Sequence, residues 1–461
     1  MERLTNAAGT ADPSEVRIVD NRQLVGQHKA MATLSPVLKQ ATPVVVDYAV
    51  GSWIYATDGR KYLDFTTGIG VTSTGHCHPD VVAAAREQVG KIVHAQYTTV
   101  MHKPLLELTA KLGEFLPTGI DSVFYATSGS EAVEASVRLA RMATGRPNII
   151  SFNGGFHGRT VGAASLTTAG TKFRSGFSPL MGGVHIAPFP HSFRHGWDEE
   201  TAVAFALKEL DHLLQSVSAP SDTAGFIIEP VLGDGGYIPT PATFLQGLRE
   251  RADRHGIVFI VDEVQAGVGR TGKFWGHDWA GIRPDIVITA KGLASGFPIS
   301  AIAASTELMS KAWPGSQGGT YGGNAVAAAA GVATLGVIER EDLVSNAQIR
   351  GDELRAGLEH LKADFAGIGN VRGRGLMQAV EFTTAANEPD AATALAVQQA
   401  AVDAELLLLT CGPYGNVIRI IPALNVTSDE IQSGLTRFTQ ALKTATISTS
   451  QPVSPAANLP F

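Results

Sequence analysis

Helical and strand periodicities alternate along the middle of the chain. Segments 78–93 (HPDVVAAAREQVGKIV), 102–116 (HKPLLELTAKLGEFL) and 131–144 (EAVEASVRLARMAT) repeat apolar residues at the three- and four-residue spacing of an amphipathic helix. Between and after them come short apolar runs: 122–127 (SVFYAT), 148–152 (NIISF), 224–230 (AGFIIEP), 258–264 (VFIVDEV) and 285–290 (DIVITA). Near-continuous apolar runs of this length read as strands covered on both faces, the habit of a mainly parallel sheet in an α/β fold. Each run ends in polar residues. Ligands of open α/β sheets gather at the carboxyl ends of the strands, so EP, DEV and AK should converge on one site.

Beyond residue 340 the pattern changes. A long polar helix at 344–361 is followed by short strands near 371–382, 406–412 and 417–424, a smaller α+β unit that the hairpin-like segment 43–65 should join. The expected division is 1–75 for an N-terminal arm and part of the small domain, 76–344 for a large domain, and 345–461 for the rest of the small domain. Segment 325–338 (AVAAAAGVATLGVI) is short of the roughly 20 residues that span a bilayer, and it reads as a tightly packed helix. The opening 1–21 reads as a loose arm without an export signal, and the Ser/Pro-biased tail from 448 as a frayed end.

Composition narrows the function classes. The 461 residues carry a net charge of −7 without a basic run, which argues against nucleic acid or an anionic membrane surface as partner. Cys77 and Cys411 are the only cysteines, too few for a disulfide scaffold and fitting a reducing compartment, with the cytoplasm as the default. Segment 267–272 (GVGRTG) fits the glycine spacing of a dinucleotide loop, and read through Lys273 it also fits the start of a P-loop. Both motifs need a strand directly before and a helix directly after. Here five residues follow Val261 before the first glycine, the sequence beyond is rich in Gly and Pro, and Phe274 stands where a P-loop needs Ser or Thr. Nucleotide binding is therefore not expected. His185, His191 and His195 lack acidic or cysteine partners at ligand spacing; they read as a solvated loop and not as a metal site.

The convergence of strand ends carries more chemistry. Lys291 stands just past one strand, Asp262 ends its neighbour, Ser128, Gly129 and Ser130 form a strand-to-helix turn, and Phe156 and Arg159 follow another strand. Singly, each has a bland reading: a solvated lysine, a helix cap, a core aromatic, a surface cation. Together an amine, a semi-buried acid, an anion-binding turn and a flat aromatic face are the parts that hold pyridoxal phosphate.

The segments 127–141 (TSGSEAVEASVRLAR), 156–160 (FHGRT), 227–237 (IIEPVLGDGGY), 261–275 (VDEVQAGVGRTGKFW), 289–298 (TAKGLASGFP) and 318–324 (GGTYGGN) resemble class III pyridoxal-phosphate aminotransferases, most closely 4-aminobutyrate aminotransferases. The resemblance implies an α/β, fold-type I transferase that works as a homodimer with its active site at the subunit boundary. It implies transfer of the amino group of 4-aminobutyrate to 2-oxoglutarate; the alternatives are another ω-amino acid, a decarboxylase, or a cofactor sensor without turnover. By the same resemblance Lys291 is the Schiff-base lysine and Asp262 the partner of the pyridine nitrogen. Glu229 stands beside the cofactor, Gln265 near its phenolic oxygen, and Ser128, Gly129 and Ser130 at its phosphate. Phe156 stacks on the ring, with His157 and Val264 completing the pocket, and Thr320 reaches the phosphate from the other subunit. Ile69, Arg159, Asp234 and Arg419 are implied at the substrate: Arg159 takes the remote carboxylate and Arg419 the α-carboxylate of glutamate. Two departures bear on substrate preference. Asp234 stands where glutamate is usual, and Leu232 where many relatives carry glutamine.

Overall fold

In the structure, a computed structural model that describes residues 34–449, the apolar runs assemble into a seven-stranded sheet. Its spatial order is Ser122–Ala126, Ser300–Ala304, Ile286–Thr289, Val258–Asp262, Thr223–Ile228, Asn148–Phe152 and Val184–Ala187. Only Ser300–Ala304 runs antiparallel to its neighbours; the other pairings are parallel. Every residue of the three central strands is buried, which explains why these runs are apolar at each position and not at alternate ones. The register of Ile260 with both Ile286 and Ile227 brings the carboxyl ends of these three strands level.

One face of the sheet is covered by the helix Gly129–Thr144, whose Ala132, Val133, Ala135 and Leu139 pack on Ile227, Ile260 and Ile288. The other face meets Glu199–Ser216 and Ala242–His255 around Phe226, Phe244 and Phe259. The alanine-rich segment forms the helix Ala325–Arg340, wedged against Pro79–Val89 and Lys103–Gly113. A Cβ at Gly331 would stand 3.0 Å from Leu108, so small residues here set how closely the helices approach. No helix among the described residues is long and apolar enough to cross a membrane.

Two further four-stranded sheets flank this core. Val46–Val50, Trp53–Ala56 and Lys61–Asp64 form a meander extended by Leu406–Leu407; Ile368–Arg374, Met377–Phe382, Val417–Ile420 and Leu409–Cys411 form the second. The run at 406–412 is thus two strands in two sheets, with buried Leu408 at the crossing, and not the single strand its uniform apolarity predicts. The helix expected at 344–361 spans Leu343–Asp364, so the division drawn between 344 and 345 falls in its first turn. The arm at 1–21 lies outside the described residues, as does the tail from 450; Ser448 and Thr449 belong to the helix Ser428–Thr449.

Two readings of local structure need correction. His185 lies on the edge strand Val184–Ala187, and His191 caps the short helix Ser192–His195 by accepting from the Arg194 N–H. Burial pushes the His191 pKa down to about 3, so it is an uncharged cap and not a solvated loop side chain. Leu232 is 1% exposed and packs with Phe152, Phe189 and Phe244 in the apolar core, away from the cavity described below. Its difference from glutamine therefore does not act by direct contact there. The loop containing GVGRTG leads into a short 3-10 turn, Gly276–Ala280, and its Arg270 is spent internally on the carbonyls of Leu376 and Pro422.

Candidate active site

The level strand ends open onto a cavity of about 360 Å³ that brings together Glu229, Asp262 and Lys291 with Ser128, Gly129, Ser130, Phe156, His157, Val264 and Gln265. Lys291 follows Ile286–Thr289 with φ +43°, a left-handed conformation that strains a residue with a Cβ. The chain holds it there by burying Ala290, Gly292 and Leu293 on either side and bonding the Leu293 N–H to the Ala290 carbonyl. The result aims the side chain into the cavity. Burial drives the amine's pKa below its usual value, with Asp234, Asp262 and Glu229 opposing.

Asp262 is fixed on both oxygens: Oδ2 lies 2.8 Å from His157 Nδ1, and Oδ1 accepts the Val264 N–H at 3.1 Å. Burial works against a charged His157, but the Asp262 carboxylate outweighs it and holds that pKa up. Glu229 accepts from the Phe156 N–H at 2.8 Å and the Gly233 N–H at 2.9 Å. Its burial nonetheless dominates and pushes its pKa up to about 7. Glu263, which follows Asp262, turns away from the cavity and ties down the 276–277 turn through Gly276, His277 N–H and His277 Nδ1, a buried pair that periodicity gave no sign of.

At the helix turn, Ser128 is an N-cap: its Oγ accepts the Glu131 N–H, while Glu131 accepts the N–H groups of Thr127 and Ser128. This reciprocal cap leaves the N–H groups of Gly129 and Ser130 with no partner among the described residues, at the positive end of the helix. Thr127 also lines the cavity, a neighbour the sequence reading passed over.

Four residues expected near the substrate, and Thr320, do not line the cavity. Arg159 is exposed; its N–H donates to Ser130 Oγ at 3.2 Å and its guanidinium lies 5.0 Å over Phe173. Ile69 and Thr320 are exposed as well. Asp234 and Arg419, far apart in sequence, meet each other: Arg419 Nη1 donates to Asp234 Oδ1 at 3.3 Å, with Arg419 only 6% exposed. The Asp234 carboxylate offsets the burial penalty and raises the guanidinium's pKa.

An amine just past one strand, an acid ending the neighbouring strand and a free helix N-terminus, on a sheet of this order, define a pyridoxal-phosphate transferase of fold type I. The family model Aminotransferase class-III matches residues 35–442, and the chain belongs to that family. It is 39% identical to the 5-aminovalerate aminotransferase DavT of Pseudomonas putida over 86% of this chain and 92% of the relative. With the 4-aminobutyrate aminotransferase GabT of Escherichia coli it shares 38% identity over 88% and 95%. A crystal structure of an amine transaminase from an uncultivated Pseudomonas species in its PLP-bound form superposes with a TM-score of 0.83 at 29% identity, covering 90% of this chain and 98% of that one.

The cofactor is pyridoxal 5'-phosphate. The residues present fit it: among the described residues the buried Gln265 Oε1 lacks a hydrogen-bond partner and two helix N–H groups stand free for a phosphate, and a Cβ at Gly129 would come within 3.2 Å of Val264. A bulkier turn would close the cradle.

Proposed function

We propose that the protein transfers the amino group of 4-aminobutyrate to 2-oxoglutarate, yielding succinic semialdehyde and glutamate in two half-reactions. When bound, pyridoxal phosphate supplies a ring that accepts the electron pair left when the carbon bearing the amine loses its proton. Lys291 Nζ, its proton affinity lowered by burial, is the base that takes this proton and returns it. Asp262, oriented by His157 and the Val264 N–H, would offer its carboxylate to the pyridine nitrogen; Gly129 and Ser130 would hold the phosphate, and Phe156, which lines the cavity, would lie against the ring. Glu229, pinned by Phe156 and Gly233, borders the reacting face.

The observation that carries the substrate reading is the Asp234–Arg419 pair. A donor with one carboxylate needs one free arginine, Arg159, and leaves Arg419 to be neutralised from within. Glutamate brings a second carboxylate, which displaces Asp234 from Arg419. A second reading, 5-aminovalerate as donor, is supported by the comparable similarity to DavT and by Asp234 being one methylene shorter than the usual glutamate.

The working unit in this reading is a homodimer. Val89, Ile92, Val93, Val100, Met101, Trp313 and Tyr321 are exposed apolar side chains, Thr320 is exposed too, and the buried ring nitrogens of His94 lack hydrogen-bond partners among the described residues. A second subunit would cover these side chains and bring its Thr320 to the phosphate. Unpaired Cys77 and Cys411 favour the cytoplasm. Comparing kcat/KM for 4-aminobutyrate, 5-aminovalerate, β-alanine and ornithine, with 2-oxoglutarate as acceptor, tests the assignment. 4-Aminobutyrate should lead; first place for 5-aminovalerate would favour the second reading, and first place for β-alanine or ornithine would overturn both.

A further inference from the structure

The loop that carries Asp234 is gripped twice by the small-domain sheet. Strand register pairs Arg372 with Ala379 and Ala379 with Arg419, so the two arginines lie in one row across three strands and project from the same face. Arg419 reaches the loop through the Asp234 carboxylate at 3.3 Å. Arg372 Nε donates to the Gly236 carbonyl at 2.9 Å, two residues further on. Arg372 is itself held: Nη1 donates to Glu381 and, at 3.2 Å, to Asn370 Oδ1, while Asn416 Nδ2 fixes the other Glu381 oxygen at 3.1 Å. At the loop's other end the Gly233 N–H donates to Glu229 in the cofactor cavity, and the Asp234 carbonyl accepts the Gly412 N–H at 2.8 Å. The loop is therefore a strap between the cavity and the small-domain sheet, with Asp234 in its middle.

We propose that Arg372, locked by Glu381, is a positioning residue that sets where Asp234 stands relative to Arg419, and through it the balance between donors with one carboxylate and glutamate. The proposal rests on the reading of Asp234 as the internal neutraliser of Arg419. Arg372 does not line the cofactor cavity. It fixes the backbone at Gly236, so that Asp234 stays on Arg419 without using its own carboxylate as the sole anchor. Loosening this hold leaves Arg419 less well covered, which penalises 4-aminobutyrate and spares glutamate, whose α-carboxylate covers Arg419 itself.

The test uses the holoenzyme and reads each half-reaction separately from the visible absorption of the bound cofactor, with 4-aminobutyrate or glutamate as donor. Arg372→Lys keeps a charge opposite Glu381 but loses the fork that also reaches Gly236 and Asn370; Glu381→Gln loosens the lock without touching Arg372 and serves if the lysine variant does not fold. In either variant the ratio of kcat/KM for 4-aminobutyrate to that for glutamate should fall several-fold, with KM for 4-aminobutyrate changing more than KM for glutamate. A purely structural role would lower both donors together and leave the ratio flat, which would overturn the proposal. Asp234→Ala separates the two levels: if its ratio is also flat, the neutraliser reading is refuted and the positioning role goes with it. If its ratio falls while those of Arg372→Lys and Glu381→Gln stay flat, the positioning role alone is refuted. Adding Arg372→Lys to Asp234→Ala should shift the ratio no further; a full additional shift would mean that Arg372 does not act through Asp234.

Discussion

Replacing Asp234 by alanine strips a buried guanidinium of its counter-charge. The pair is 3.3 Å apart and Arg419 is 6% exposed. At an effective dielectric of about 20, charges about 4 Å apart attract by about 4 kcal/mol. Water entering the space left by the side chain recovers part of this, and Tyr237 still faces the guanidinium. The loss felt by a donor that leaves Arg419 bare is then about 1.5–3 kcal/mol, the range for hydrogen bonds to charged groups, or roughly 10- to 150-fold in kcat/KM. Glutamate supplies its own carboxylate to Arg419 and should change by less than about threefold, or gain, since no internal ion pair has to be broken first. Following the bleaching of the cofactor's visible band in single turnovers with each donor gives both numbers without interference from the acceptor. Equal losses for the two donors, or an unchanged rate with 4-aminobutyrate, would refute the neutraliser role.

Arg159→Lys removes a planar fork and its stack on Phe173, so 4-aminobutyrate and glutamate should both lose about 1.5–3 kcal/mol of transition-state binding, while an amine without a carboxylate is unaffected; steady-state kcat/KM across the three checks this. Glu229, ordinarily near 4.5 and pushed up to about 7 by burial, is favoured in its neutral form in the folded chain. Its contribution to stability is present in full below 4.5 and is lost as pH rises through 7, by up to about 3 kcal/mol. In the cofactor-free protein, urea midpoints should therefore fall over this window, and Glu229→Gln should flatten the fall; parallel curves would contradict it. On the proposed homodimer, in which Thr320 reaches the neighbouring site, a charge at the exposed Met101, as in Met101→Asp, should give monomers in sedimentation velocity and weaken cofactor retention along with it; an unchanged sedimentation coefficient would contradict that proposal.

Much of this arrangement is legible in the chain because the central strands are buried on both faces. Runs that end abruptly in Glu229, Asp262 and Lys291 announce both the sheet and the edge at which its chemistry collects. The split of the leucine run 406–409 between two sheets was not legible, since a uniformly apolar segment carries no period to mark a change of partner. Leu232 illustrates the converse: matching it to a polar position in relatives put the substrate preference in question, whereas its environment is the packing of Phe152 and Phe244. Asp234 and Arg419 were named through the resemblance, but their contact joins the loop after the buried strand Thr223–Ile228 to a strand of a separate four-stranded sheet, and nothing local in the sequence encodes that distance. The Arg372–Glu381 lock was missed altogether, because charges on two neighbouring strands read as solvent-facing until the loop at Gly236 that lies over Arg372 is known.

The central claim is that Lys291 holds pyridoxal phosphate and moves the proton. Borohydride reduction of the holoenzyme, followed by proteolysis and mass spectrometry of the labelled peptide, tests it most directly. The account predicts one labelled peptide, bearing the cofactor on Lys291, and no label when 4-aminobutyrate in excess is added first without 2-oxoglutarate. Label on any other lysine, or label undiminished by 4-aminobutyrate, would contradict it.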